Sequence, residues 1–113
     1  MNRTDILDTQ RIAHQVPAEA QGGSPLPRRL RERLERSLGG DLSDVRIHEG
    51  LAADRMARAI GADAFAWSHH IFFRDGAYRP DTRDGLALLA HEATHTLQQP
   101  AVAAGSPTAG WSV

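Results

Sequence analysis

His91-Glu92-Ala93-Thr94-His95 is the stretch of this sequence whose residue types and spacing could carry chemistry by themselves. Each residue of an α-helix advances about 100°, so His91 and His95 fall roughly 40° apart on one face, one turn apart along the axis. Both imidazoles can then reach a single ion. Glu92 lies near about 100° on the same wheel, beside the pair, where a carboxylate can hold a water without ligating the metal. Zn2+ suits such donors: it lowers the pKa of a coordinated water to about 7, Glu92 would take the proton as a carbonyl is attacked, and peptide or amide hydrolysis follows. The competing reading is two surface histidines and an ordinary helix-favouring glutamate.

The sequence contains no cysteine, so any metal site must use nitrogen and oxygen donors. No His, Asp or Glu follows His95, which sends the search for a third ligand upstream. His48 is the preferred candidate, because it ends a predicted strand and a strand end can project a side chain into a cleft; Glu49 and His70 are the alternatives. His69 and His70 also read as a polar hairpin corner. Tyr78 could donate a hydrogen bond to an oxyanion, although packing at a helix start suits it better. Gln98 and Gln99 fall in the angular range of the metal face, where they could orient a ligand or simply end the helix.

These residues need elements to hold them. Ser24-Pro25 opens a helical pattern in which Leu26, Leu30, Leu34 and Leu38 share one face and Gly39-Gly40 closes it. Val45 to His48 alternates like a short strand, and Leu51 to Ile60 reads as a helix with Ala52, Met56, Ala59 and Ile60 available for burial. Ala64–Trp67 and His70–Phe73, separated by Ser68-His69, predict a hairpin. Asp81 or Thr82 caps a last helix running to about Gln99, whose apolar arc of Leu86, Leu89, Ala90, Ala93 and Leu97 would dock it on the sheet. The fold class expected is α+β: a short three-stranded sheet with about three helices, the motif on the last.

At 113 residues the chain is sized for one domain. Residues 1–23 read as a flexible N-terminal arm, 24–99 as the core domain and 100–113 as a flexible C-terminal tail, as in a module of something longer. Formal charge is −1 and every basic residue is an arginine, interspersed with acids in Arg31-Glu32-Arg33-Leu34-Glu35-Arg36, which argues against a nucleic-acid partner. No apolar run suits a secretory signal or a membrane span, so cytoplasmic synthesis is the expectation.

Several short motifs occur in order: Pro25-Leu26-Pro27, Leu42-Ser43-Asp44-Val45-Arg46-Ile47-His48, Gly61-Ala62-Asp63-Ala64-Phe65, His70-Ile71-Phe72-Phe73, Gly76-Ala77-Tyr78-Arg79-Pro80 and Leu88 to Gln99. Together they resemble the core domain associated with bacterial extracellular contractile injection systems, over about residues 24 to 99. The resemblance implies a minimal zincin-like metallopeptidase domain, embedded in larger toxin or cargo proteins and delivered by the injection machine. By position it makes His91 and His95 metal ligands and Glu92 the catalytic acid/base, with His48 and His70 at motif positions. Ala93 departs from the leucine more usual in the family, a difference for packing rather than chemistry. Two functions follow as expectations. One is a zinc peptidase acting on a protein or peptide, in cis on the polypeptide that carries it. The other is a non-catalytic recruitment module that contacts injection-system components and holds a structural or vestigial metal.

Overall fold

The computed structural model describes residues 22–98 together with Trp111 and Ser112. The predicted arm and most of the predicted tail lie outside the described residues. Three helices are present: α1 (Arg28–Leu38), α2 (Leu51–Ala59) and α3 (Arg83–Gln98). The strands are β1 (Ser24–Pro25), β2 (Arg46–His48), β3 (Ala64–Trp67), β4 (His70–Phe73) and β5 (Trp111–Ser112). They form a mixed sheet in the order β1-β2-β4-β3-β5. The α+β class is therefore as expected, and β2, β3 and β4 are the three strands read from alternation. The sheet is wider than expected because β1 and β5 join its edges with two residues each, too short to leave a periodic signal.

β1 also corrects the start of the first helix. Ser24 and Pro25 pair antiparallel with Ile47 and Arg46, and the helix begins at Arg28, after Pro27. A proline lacks the N–H that a central strand needs, so an edge is where the sheet can accept Pro25. The helix ends as read: Gly39 adopts φ 76 and its N–H donates to the Glu35 carbonyl at 2.8 Å.

Parity in the sheet sorts the core into two layers. β4 is buried along its whole length, between β2, which runs parallel to it, and β3, which runs antiparallel. Ile47, Ala64, Ala66, Ile71 and Phe73 point to one side, where Leu34 of α1 and Leu89 and Ala93 of α3 cover them. Phe65 and Phe72 point to the other side, under Ala53, Met56 and Ala57 of α2. In α2 the buried alanines are thus Ala53 and Ala57, whereas the expected Ala52 and Ala59 are exposed. A helix with alanine all round leaves its inner face undetermined until the sheet selects one.

The start of α3 is fixed by a cap and a close contact. Thr82 Oγ1 accepts a hydrogen bond from the Gly85 N–H at 3.0 Å, the N-cap pattern expected at that position. The same hydroxyl donates to the Arg79 carbonyl at 2.9 Å. A Cβ built on Gly85 would stand 1.9 Å from that carbonyl oxygen, so the chain needs glycine there for the Arg79 segment to lie against the helix. Gly85→Ala must push backbone from backbone. A loss of about 1–3 kcal/mol is expected, read as a lower midpoint in denaturant unfolding with unchanged slope.

Candidate metal centre

The contact at Gly85 sets the rotation of α3 and with it the site. The buried residues of the helix are Gly85, Leu89, Glu92 and Ala93. Leu97, expected in the docking arc, is 36% exposed, with its branched end over Gly40. The inner face is therefore turned away from Leu97 and towards Glu92. Seen down the axis, Glu92 occupies the seam between the leucine-alanine face and the histidine face.

His91 and His95 stand on the outer side, as their spacing demands. Their Nε2 atoms lie 3.2 Å apart and the rings meet edge to face at 90°. Two ligands of one tetrahedral zinc, each at about 2.0–2.1 Å, would be separated by roughly 3.3 Å. The pair therefore fits an ion with two neutral imidazole nitrogens. Glu92 has 1% of its surface exposed, and its Oε1 has no hydrogen-bond partner. Burial without compensation raises its pKa to about 8. A carboxyl placed next to two histidines and held near neutral pKa by desolvation is poised to take up or release a proton.

The structure does not bring His48 to this pair. In β2, Ile47 faces α3, so its neighbour His48 must face α2, on the far side of the sheet from the motif helix. There it stacks on Phe72, with centroids 4.4 Å apart, and its Nε2 shares a hydrogen bond with Nδ1 of His70 at 2.9 Å. Among the described residues, no three His, Cys, Asp or Glu side chains are placed to hold one metal. His70 is correspondingly no hairpin corner: it is buried in β4, whereas His69 occupies the exposed turn. Glu49 is exposed beyond the end of β2. Tyr78 packs against Phe73 at 5.1 Å, the packing role rather than the oxyanion one. Gln98 is exposed at the end of α3, and Gln99 lies outside the described residues.

The His48–His70 pair is what sequence reasoning missed. A parity count on each strand puts His48 and His70 on the same side as Phe72 and Phe65. That they meet depends on the parallel register of β2 with β4, which sets His48 beside Phe72 and Arg46 beside His70. Gly23 closes over the pair: a Cβ there would stand 2.8 Å from two atoms of the His48 ring.

Both buried groups couple stability to pH, with opposite sign. Burial, then the nearby His69, His48 and Arg46, lowers the His70 pKa from 6.5 to about 4. The unfolded chain binds that proton first as pH falls, so stability drops between 6.5 and about 4. Glu92 works the other way: its pKa rises from 4.5 to about 8, so metal-free stability drops as pH climbs through that window. In EDTA, Glu92→Gln is expected to flatten the alkaline limb and raise stability at pH 8 by roughly 1–3 kcal/mol. His70→Phe should flatten the acid limb. Thermal unfolding from pH 4 to 9 checks both, and an unchanged alkaline slope in Glu92→Gln would contradict the desolvated carboxyl.

Comparison with known proteins adds a family. The eCIS core domain matches residues 25–103. No curated protein and no solved structure matches the chain. The matched span contains all three helices, β2 to β4, the motif and the His48–His70 pair. This chain belongs to the eCIS core domain family, and so to the proteins associated with contractile injection systems.

Proposed function

We propose that this chain is the zinc-dependent peptidase-type domain of an injection-system protein, acting on a peptide bond of a protein substrate, in cis on the polypeptide that carries it. The observation that carries the reading is the pair of Nε2 atoms 3.2 Å apart on α3, with a buried, unpartnered carboxylate in the adjoining position. His91 and His95 would hold the ion. Zinc, when bound there, supplies Lewis acidity and a more acidic water. Glu92 Oε1, which makes no hydrogen bond within the fold, accepts the proton of the attacking water and returns it to the leaving amine. Desolvation assists that exchange, since it holds the carboxyl near neutral pKa and out of ion pairs. The sheet packed beneath α3 keeps the helix rigid, so the two imidazoles need little reorganisation.

A second reading is favoured by the donor count. With His48 turned to the other face, the described residues contribute two histidines to the site, and such a site could mark cargo rather than cut it. In this reading the domain contacts injection-system components and the metal is structural or vestigial. In both readings the chain is made in the cytosol and delivered by the injection machine.

The two diverge under mutation. For the peptidase, zinc is expected in reconstituted wild type and in Glu92→Gln, with peptide cleavage falling at least about a hundredfold in the variant. A chain that takes up no zinc would sink the idea. For the recruitment module, Glu92→Gln should load into particles like wild type, while exchange of the charged surface of α1 abolishes loading. Loading that tracks the glutamate would refute that alternative.

A further inference from the structure

The outer surface of α3 carries no charge from Gly85 to Gln98, because the one charged side chain in that stretch, Glu92, is turned into the core. Solvated helix faces elsewhere in the chain look different: α1 shows Arg28, Arg29, Arg33 and Arg36 to solvent. Loss of charge on an exposed face is characteristic of the centre of an interface. His91 lies in the middle of this face, with exposed Ala87 one turn before it and exposed Gln98 two turns after. A structural zinc site takes four ligands in a tetrahedron. His91 and His95 are half of that shell, and no third donor joins them among the described residues.

We propose that a second copy of this chain supplies the other half, the two α3 helices crossing at a two-fold axis through one zinc ion. A two-fold interface places the same patch on both sides, so a surface that offers two of four ligands is completed by itself. No other donor type is required. The face that must approach its copy is the one free of exposed charge, and Ala87 and Thr94 are small enough to let two helices come close. Four imidazole nitrogens close the shell, whereas hydrolysis needs an open position. The dimer is accordingly the silent state of the domain, and the separate chain is the state with room for water and substrate. The inference rests on His91 and His95 holding the ion, and not on cleavage.

Mass and metal content measured together test it. Zinc added to the metal-free chain is expected to double the mass from 12.3 kDa in light-scattering chromatography, with one zinc per two chains and reversal by EDTA. His91→Ala should lose both zinc and dimer. Ala87→Arg leaves the ligands in place but sets two cations against each other across the axis, and is expected to stay monomeric; Arg36→Glu on α1 should dimerise like wild type. One zinc bound per monomeric chain overturns the dimer while the metal reading stands. A dimer that forms without zinc, or that persists in Ala87→Arg, also overturns it. If no zinc binds at all, the metal reading fails and takes this inference with it.

Discussion

Burial of β4 on both faces is the constraint from which the rest of the architecture follows. His70, Ile71, Phe72 and Phe73 alternate across a sheet covered above and below, so each needs a partner layer of its own. Ile71 and Phe73 require α1 and α3, and Phe72 requires α2. Covering the odd residues while exposing the even ones would leave Phe72, a ring fully buried here, in water, at a cost of about 1.5–3 kcal/mol. The three-layer arrangement removes that cost. It also partitions the chain's histidines, since those on strands can reach only the α2 layer and those on α3 stand outside the opposite one.

The partition gives the two histidine pairs different chemistry. His48 and His70 are dry, mutually hydrogen-bonded and surrounded by Phe72, Trp67 and cationic neighbours, conditions that favour the neutral ring. Their hydrogen bond ties two parallel strands together and serves the fold. His91 and His95 keep their Nε2 atoms at the surface, where an ion can arrive with part of its hydration shell. Between these regimes lies Glu92, which belongs to the motif by sequence and to the core by position. Leaving Oε1 without a partner opposes stability, and a fold selected for stability alone would place leucine or alanine there. The unsatisfied carboxyl is thus the strongest sign that this helix does more than pack.

Much of this was legible from residues close together in the chain. The cap at Thr82, the glycine stop at Gly39, the hairpin across Ser68-His69 and the one-turn spacing of His91 and His95 all depend on local geometry, and all were read correctly. What escaped depends on pairing over distance. His48 was assigned to the motif because it ends a strand, yet its direction is set by which neighbour Ile47 packs against. The tilt that hides Glu92 and exposes Leu97 comes from the contact of Gly85 with the Arg79 carbonyl, which no helical wheel contains. The edge strands have two residues each and no period to detect.

The order of strands in the sheet also imposes an order in time. The β3–β4 hairpin closes through a two-residue turn, the cheapest loop in the sheet, whereas β2 must wait for a partner that lies beyond α2 and β3 in the chain. During synthesis β2 therefore leaves the ribosome with its neighbour-to-be still unmade. Once β4 exists the missing centre of the sheet is filled, and α3 is the next element to emerge. The helix that bears the two outward histidines arrives last among α1 to α3 and seals the layer over Ile71 and Phe73. In this chain, acquiring the site and completing the fold are the same event.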